Sequence, residues 1–351
     1  MVLNKSQYFK CNMDENIMLN NISKNSCSKK KVLNIIDPPI GTYQGTSFVL
    51  AVLLCDNKTE NLYYNNYINL TVDNENDYTN IGLRFTNISW ENYRIDGYAN
   101  MDMYYVKNIK HTFFIEFLKK LIDQNNYLLL FGVDEFYLSY SEFYKKIHFI
   151  HDTYIYGYDE NNFYLMAYTN DNLKKIRICC HEIRDAIYSY LQKNDNASFC
   201  TFRPVRNRYV TVDTGKIRKE LNDYIDKRGN DIYAKTDVYG VATYTILQKY
   251  IEYISINREV KIDLRVFRTF WEHKKIMCER IEYLSKVYSI SLDVYDKIKS
   301  IEGQSRLIFS LATKYYLSGR KEIPERILLL MKKVQAGEIE LIVELLNELN
   351  L

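Results

Sequence analysis

The spacing of apolar and polar residues divides the chain into a mixed first half and a helical second half. Residues 47–55 are apolar on every side, which predicts a buried helix with Thr46 or Ser47 as its N-cap. Apolar residues alternate with polar ones over 81–106, and this alternation predicts strands. Residues 113–124 follow a helical period and predict an amphipathic helix.

The middle of the chain predicts a sheet and a helix that follows it. Residues 127–139 predict a buried strand with an exit loop, and 153–158 with 162–168 predict an antiparallel hairpin. Residues 174–180 predict a further strand and 181–193 a helix. Short helices are expected over 12–22 and 28–36, and 63–72 is compatible with helix or strand.

From Val238 onward the pattern is helical to the end of the sequence. Apolar residues recur at spacings of three and four over 246–254, 270–288, 307–316 and 327–349. A polar stretch with Pro204, Gly215 and Gly229 joins the two halves. We therefore predict an α+β protein with an antiparallel sheet and a helical C-terminal subdomain, divided as 1–200, 201–237 and 238–351.

Composition narrows the classes of function. A net charge of +3 over 351 residues gives no strong field for nucleic acid or a membrane surface. We see no 18-residue apolar stretch and no signal-peptide pattern. Seven cysteines occur without a CxxC pair, and Cys179, Cys180 and His181 together are too few for a zinc site. We expect a cytoplasmic protein with reduced thiols and, because no phosphate-binding loop or dinucleotide fingerprint occurs, no cofactor.

Two of the five histidines, His148 and His151, stand just before the predicted hairpin. Histidine is the side chain best suited to moving a proton near neutral pH, so either is a candidate base. The alternative interpretation is a structural histidine at the end of a strand. Asp134, Glu135 and Tyr137 follow the buried strand, where they either line a cleft or belong to a solvated loop.

A buried helix followed by a sheet that bears a histidine resembles the layout of papain-like proteins. Residues 127–169 (YLLLFGVDEFYLSYSEFYKKIHFIHDTYIYGYDENNFYLMAYT) are similar to the papain-like, bacteriocin-leader-peptidase-related family of nonribosomal peptide pathways. That family includes the butirosin-type acyltransferases and the cysteine-protease-like amide synthetase of closthioamide-type assembly. Residues 60–71 and 271–285 resemble two further blocks of it. The resemblance implies a papain-like cysteine peptidase fold.

The resemblance also assigns roles to single residues. The family's catalytic histidine falls on His151, and its orienting residue, usually an aspartate eighteen places further on, falls on Thr169. Asp171 takes that role if the alignment shifts by two. Asp152 adjoins His151 but points to the opposite face of a strand. His148 is the weaker candidate for the base.

The nucleophile implied by the resemblance is a cysteine at the start of the buried helix, where this chain has Thr46 and Ser47. Cys27 is the first candidate, because a possible helix start and three following lysines both favour a thiolate. Cys11 is the second candidate and Ser47 the third. Gln44, just before the helix, could stabilise an oxyanion, although a turn residue is the simpler interpretation.

The function expected from these assignments is an acyltransferase or amide synthetase. A cysteine takes an acyl group from the phosphopantetheine thioester of an acyl or peptidyl carrier protein and passes it to a small amine, with histidine as base. A cysteine peptidase or thioesterase of the same fold is one alternative, and a non-catalytic scaffold that binds carrier proteins is another. Basic residues over 216–219 and 314–321 are candidate contacts for an acidic carrier, or simply solvated faces.

Overall fold

The structure is a computed structural model, and it groups the chain into two units. The first holds the described residues of 1–57 and 89–208, and the second those of 58–88 and 209–351. Both units combine helices with antiparallel strands, which confirms the predicted α+β class. The residues that the structure describes are 29–72, 78–79, 81–86, 93, 96–169, 172–206, 208–229, 238–288 and 290–349.

An antiparallel sheet forms the centre of the first unit. Its strands are β1 (Lys31–Val32), β4 (Ala99–Asn100), β5 (Met103–Tyr105), β6 (Tyr127–Asp134), β7 (Ile150–Tyr158), β8 (Asn162–Thr169), β9 (Asn172–Cys179) and β10 (Ser198–Pro204). The main order is β4–β10–β6–β7–β8–β9, with β1 paired to β7 and β5 paired to β10. The predicted strand before the exit loop, the hairpin and the strand after it are confirmed as β6 to β9.

Helices cover the two faces of this sheet. They are α1 (Gln44–Leu53), α3 (Phe114–Asp123) and α4 (Cys180–Leu191). On one face Phe48 of α1 stacks on Tyr154 of β7, with ring centroids 5.2 Å apart. On the other face Phe114 of α3 meets Phe199 of β10 and Tyr188 of α4 edge to face. The sheet is therefore buried on both sides, which explains the nearly unbroken apolar run of β6.

The buried helix α1 begins earlier than predicted. Its N-cap is Tyr43, which makes no side-chain capping bond. Ser47, a predicted N-cap, lies inside the first turn and donates from Oγ to the carbonyl of Tyr43 at 2.9 Å. A hydroxyl that bonds back by four residues satisfies itself within the helix, so it leaves the helix start without a side-chain cap. The short helix expected over 28–36 is also wrong for the described residues, which form β1 and an extended segment.

The second unit is mainly helical. Its helices are α2 (Asn61–Asn65), α5 (Thr214–Ile225), α6 (Thr243–Ile256), α7 (Leu264–Tyr288), α8 (Leu292–Ser318) and α9 (Ile323–Glu348). The strands β2 (Leu70–Val72), β3 (Leu83–Phe85) and β11 (Val238–Tyr239) form a small sheet in the order β11–β2–β3. The four helices from α6 onward confirm the helical pattern. Helix α5 was not predicted, because it lies in the polar stretch interpreted as a connecting segment.

Two side chains of α7 hold the early segment 64–68 in the second unit. Arg280 is fully buried and donates from Nε to the carbonyl of Tyr64 at 2.7 Å and from Nη2 to the carbonyl of Asn66. His273 donates from Nε2 to the carbonyl of Ile68 at 2.6 Å. These bonds satisfy three backbone carbonyls that no helix or strand pairs. They explain why residues 58–88 group with 209–351, whereas the sequence placed them in a domain of 1–200.

A polar cluster lies in the core of the second unit. The Nζ of Lys274 is 2.6 and 2.7 Å from the two carboxylate oxygens of Glu338, and both residues are at most 1% exposed. Tyr224 and Tyr244 each donate a hydroxyl to Oε2 of Glu338, at 2.9 and 2.7 Å. Lys274 also contacts Nδ1 of His273 at 3.0 Å. The cluster joins α5, α6, α7 and α9, so it fixes how four helices meet.

Among the helices that the structure describes, none is both long and apolar enough to cross a membrane.

Candidate functional site

A β-bulge at the end of β6 shapes the candidate site. The pairing of β6 with β7 shifts between Leu130 and Val133, because β6 carries one extra residue there. Gly132 occupies this bulge with φ of 80°, and a Cβ at this position would lie 2.5 Å from the ring of Tyr190. Glycine is required both by the backbone conformation and by the space. Bulges redirect the side chains beside them, and those that follow here are Asp134 and Glu135.

His151 pairs with Glu135 across this end of the sheet. The Nδ1 atom of His151 lies 3.0 Å from Oε1 of Glu135. The other oxygen of that carboxylate accepts a hydrogen bond from Oγ of Ser141 at 2.5 Å. The carboxylate side chain is 11% exposed and the imidazole 41%, so a nearly buried acid holds a ring that solutes can reach. Glu135 thus orients His151 in the way that a buried acid orients a catalytic imidazole.

His148 forms a second pair of the same construction with Asp134. Its Nδ1 atom lies 2.7 Å from Oδ2 of Asp134, and Ser189 of α4 donates its hydroxyl to that same oxygen at 3.2 Å. The backbone N–H of Phe136 donates to Oδ1 of Asp134 at 3.1 Å. The Phe136 ring also stacks on the imidazole at 4.4 Å. Since the side chain of His148 is 49% exposed and that of Asp134 only 2%, this pair too combines a buried acid with an accessible ring.

The segment between the two carboxylates and the two histidines is held by backbone bonds. Glu135 donates its N–H to the carbonyl of Phe149 at 2.8 Å, and Lys145 donates to the carbonyl of Phe136 at 2.9 Å. Ser139 donates its N–H to the carboxylate of Glu182 on α4 at 2.6 Å. Lys145 has φ of 53°, a left-handed conformation that non-glycine residues rarely adopt. The segment therefore has a defined conformation in spite of its exposure, which fixes both rings.

These bonds define the chemistry open to each ring. A carboxylate accepts a hydrogen bond, so each Nδ1 carries the proton and each Nε2 keeps its lone pair when the ring is neutral. Neither Nε2 has a hydrogen-bond partner within the described part of the chain. Both histidines are therefore built to accept a proton from a bound molecule.

The histidines and the start of α1 lie on opposite faces of β7. Tyr154 projects toward α1, where it stacks on Phe48. His151 is three residues away, and an odd spacing on a strand places side chains on opposite faces. Asp152 is the neighbour that shares the face of Tyr154. Burial first, and then the Asp152 carboxylate, raise the pKa of Tyr154 well above its ordinary value.

The start of α1 is closely packed. A Cβ at Gly45 would lie 2.9 Å from the hydroxyl of Tyr154. Gln44 is buried and donates from Nε2 to the carbonyl of Met166 at 2.7 Å, so its amide serves the β8 backbone. Ser47, the third candidate nucleophile, is fully buried with its hydroxyl bonded to Tyr43. Gln44 and Ser47 thus supply neither a free amide nor an accessible hydroxyl at this helix start.

The remaining predicted site residues are placed as follows. Thr169 ends β8, where it pairs with Asn172 of β9. The ladder of β7 with β8 runs from Tyr158–Phe163 to Tyr154–Met166 and includes neither His151 nor Thr169. The Nδ1 of His151 bonds Glu135. Cys27, Cys11 and Asp171 lie outside the described residues.

Burial raises the pKa of three of the cysteines that the structure describes, Cys55, Cys180 and Cys278. Burial raises the pKa of Cys180 to about 12 and that of Cys278 to about 11. Cys200 is buried in β10, and Cys55 donates its thiol to the carbonyl of Ala51. A raised pKa keeps a thiol protonated and therefore a poor nucleophile. Within the described ranges, no group of three or more His, Cys, Asp or Glu side chains could hold a metal ion.

The two basic clusters, 216–219 and 314–321, differ in how far their charged groups are engaged by neighbouring residues. Lys216 donates to the side chain of Asn66 at 2.7 Å, and Lys219 forms an ion pair with Asp223 at 2.7 Å. In the other cluster Lys314 and Lys321 are exposed at the turn between α8 and α9. The first cluster is largely engaged within its own unit.

Sequence reasoning found both histidines but did not assign them the acids that meet them in the structure. It placed Asp134 and Glu135 at a cleft rim without linking them to a base, and it did not single out Ser141 or Ser189. The available signal was an Asp–Glu pair after a buried strand, followed by two histidines 14 and 16 residues later. No protein-family model matches this chain, and no curated protein matches it.

Proposed function

We propose that this chain transfers an acyl group from a carrier-protein thioester to a small amine, with His151 as general base on a papain-like fold. The observation that carries the proposal is the His151–Glu135 pair. An accessible imidazole is held through Nδ1, 3.0 Å from a nearly buried carboxylate, and its Nε2 is free to accept a proton. The resemblance of residues 127–169 to acyltransferases supports acyl transfer among the reactions that such a base can serve.

Each residue has a stated role in this reaction. Glu135 fixes the tautomer and direction of His151, and Ser141 holds the second oxygen of Glu135. A cysteine thiol attacks the thioester while His151 takes its proton, and Cys11 is now the first candidate, because Lys31, four residues after Cys27, pairs with Tyr158 at the end of β7 remote from His151. The carrier thiolate leaves and takes up a proton. The amine then opens the acyl-enzyme, and the proton that it loses returns through His151 to the enzyme thiol.

The surroundings of the pair support a protein-bound acyl donor. Ile147, Phe149 and Ile150 are large apolar side chains left exposed beside the rings. Lys145 and Lys146 precede them in the same segment and add positive charge. Apolar contacts suit an acyl chain, and the two cations suit the acidic surface that carrier domains generally present.

Intact-mass spectrometry with an acetyl-loaded carrier protein tests the proposal. We expect the wild type to release the carrier thiol and to form an amide with 1,3-diaminopropane. His151→Gln should lower this transfer by 10²–10⁴-fold, about the contribution of a general base. His181→Gln is the matched control, because His181 is exposed on α4 and belongs to neither pair. Equal rates for His151→Gln and the wild type would remove His151 from the reaction.

The same experiment separates the chemical routes. A mass increase of about 42 Da, which corresponds to one acetyl group, mapped to Cys27 or Cys11 supports an acyl-enzyme intermediate. Amide formation without any adduct, unaffected by Cys27→Ala and Cys11→Ala, supports direct attack of the amine on the thioester. Release of free acid in the absence of diamine indicates a thioesterase or peptidase.

A non-catalytic carrier-binding scaffold is the second candidate function. It is favoured by the closed start of α1, where a side chain at Gly45 would meet the hydroxyl of Tyr154 at 2.9 Å. A scaffold should bind the holo-carrier protein, form neither adduct nor product, and keep its affinity in His151→Gln. Binding measured by calorimetry alongside the mass assay decides between the two functions.

A further inference from the structure

The His148–Asp134 pair duplicates the His151–Glu135 pair within one segment. In each pair a carboxylate accepts from Nδ1 of the ring and from a serine hydroxyl, Ser189 in one case and Ser141 in the other. A reaction that used one base would leave the second arrangement without a role. His148 is nevertheless the more firmly held ring, with the shorter bond to its acid, at 2.7 against 3.0 Å.

The chemistry of the acceptor gives a reason for two bases. An aliphatic amine is an ammonium ion at neutral pH, like the lysine side chain. To become an amide nitrogen it must lose two protons, one before it can attack and one as the new bond forms. A single imidazole must release the first proton to water before it can accept the second. Two imidazoles can accept the two protons in turn.

We propose that His148 is a second proton acceptor in this site and takes the first of the two protons that an ammonium acceptor loses. The inference rests on the proposed acyl transfer and extends it to the class of acceptor, which is a primary aliphatic ammonium. His148 and His151 are three residues apart, so their Cα atoms lie within about 10 Å of each other. The proposal places the nitrogen of one small acceptor between these two rings, which are held by the adjacent carboxylates Asp134 and Glu135.

The steps balance in atoms and charge. The Nε2 of His148 takes a proton from the ammonium and releases it to solvent. The free amine attacks the acyl carbon, the C–N bond forms, and Nε2 of His151 takes the second proton. The C–S bond breaks, and the leaving thiolate receives the proton from His151. The net change converts thioester and ammonium into amide, thiol and one free proton.

The charges near the rings suit a cationic acceptor. Asp134 and Glu135 bring two carboxylates to the site. The two nearby lysines are held by groups outside the two pairs, Lys145 over the ring of Tyr144 and Lys146 at the carbonyl of Glu142, and both keep the charge that suits an acidic carrier. Phe136, stacked on His148, offers an aromatic face, which attracts ammonium ions.

The test compares two acceptors that differ in basicity. Acetyl-loaded carrier protein is the donor, and the acceptors are 1,3-diaminopropane and hydroxylamine at pH 7.5. Hydroxylamine is uncharged at this pH, so it has no first proton to lose. We expect His148→Gln to slow transfer to the diamine by about 10²-fold, in the range of one general base, and to leave transfer to hydroxylamine within threefold of the wild type. Raising the pH should restore the diamine rate of this variant.

Asp134→Asn provides a second, chemically distinct variant. An asparagine amide that donates to Nδ1 places the ring proton on Nε2, which removes the free lone pair. It should therefore show the same loss with the diamine and the same retention with hydroxylamine. His181→Gln should behave as the wild type with both acceptors.

The outcomes separate this inference from the proposed function. His151→Gln should slow both acceptors, since each must lose a proton during attack. If His151→Gln is inactive while His148→Gln keeps the wild-type ratio of the two rates, the role of His148 is overturned and the proposed function stands. Equal losses with both acceptors in His148→Gln would reduce His148 to a positioning or structural residue. If the wild type transfers to neither acceptor, the proposed function fails and this inference with it.

Discussion

Replacing Glu338 by glutamine is the sharpest test of how the second unit is stabilised. The substitution keeps the size of the side chain but removes the negative charge that faces Lys274. Lys274 is 0% exposed, and its Nζ lies 2.6 and 2.7 Å from the two Glu338 oxygens. Without that carboxylate the core holds an ammonium with no opposite charge among its described contacts. What remains are the Tyr224 hydroxyl, the His273 ring and the aromatic faces of Tyr244 and Phe270.

The expected cost follows from this burial. Breaking a buried ion pair by removing one partner typically costs about 3–5 kcal/mol. The exposed pair of Lys286 and Glu282, 3.2 Å apart on α7, is the control. Because its lysine is 69% exposed, Lys286→Met should cost at most about 0.5 kcal/mol. Lys274→Met combined with Glu338→Gln leaves no uncompensated charge and should recover much of the loss.

The pH dependence has a definite sign. Burial lowers the pKa of Lys274, and the attraction of Glu338 works against that effect. In Glu338→Gln only the effect of burial remains, so the pKa of Lys274 in the folded state lies below its pKa in the unfolded state, which is about 10.4. At a pH between these two pKa values the folded state holds fewer protons than the unfolded state. Between those two pKa values stability rises with pH, by up to about 1.4 kcal/mol per unit. The variant should therefore approach the wild type as the pH rises toward 10.

The assay follows the second unit through its own tryptophan. Trp271 lies on α7, bonded to Glu302 at 2.8 Å and stacked on Phe309, and the chain has two tryptophans. In a Trp90→Phe background, urea unfolding followed by fluorescence reports on the surroundings of Trp271 alone. A loss below about 1 kcal/mol for Glu338→Gln, or a loss that does not change with pH, would refute the reasoning.

Three further predictions concern single positions. Partial burial opposes ionisation of Asp159, but hydrogen bonds from Asn162, Asn161 and Tyr164 lower its pKa to about 2. Its contribution to stability is therefore present above pH 4 and is lost as the pH falls toward 2. In an acid titration followed by circular dichroism, Asp159→Asn should lack the loss of stability between pH 4 and 2. Gly132→Ala should lower the free energy of unfolding by more than about 1 kcal/mol in thermal unfolding, because Gly132 has a positive φ and a Cβ there would meet the Tyr190 ring. Gly303→Ala, in open space on α8, is the control and should raise the free energy of unfolding by about 0.5–1 kcal/mol. Arg280→Met should lower the free energy of unfolding by about 3 kcal/mol or more in urea, because two backbone carbonyls lose their buried donor. A variant that keeps wild-type stability would show that Arg280 does not anchor residues 64–66.

The elements predicted well from sequence are those that the local spacing of apolar residues is enough to define. Strands β6 to β9 have long apolar or alternating runs with a clear turn at Asp159, and helices α7 to α9 have sustained three-and-four spacing. Helix α5 repeats the same signal more briefly, with Ile217, Leu221 and Tyr224 buried on one face of a polar segment. A short stripe within many charged residues is easily interpreted as a linker.

The elements that were missed depend on distant partners. Strand β10 ends in a proline and runs into the polar stretch, and it is stabilised by pairing with β5 and β6. The His151–Glu135 bond depends on a one-residue bulge at Gly132, and side-chain direction after a bulge does not follow from alternation. The ladder of β7 with β8 ends before His151 and Thr169, and the acid that meets the ring comes from the turn after β6, on the other side of β7.

The anchoring of residues 64–68 by α7 also sets an order of events during synthesis. The carbonyl of Ile68 meets His273, a partner 205 residues later in the chain. At a translation rate of about 5–20 residues per second, the ribosome makes that partner roughly 10–40 s after Ile68. In that interval residues 58–72 exist without the helix that completes them, while the strands of the first unit emerge. The second unit therefore needs one long-range joining step to complete its fold. A rearranged chain in which 58–88 is excised and inserted directly before 209 should accelerate that step.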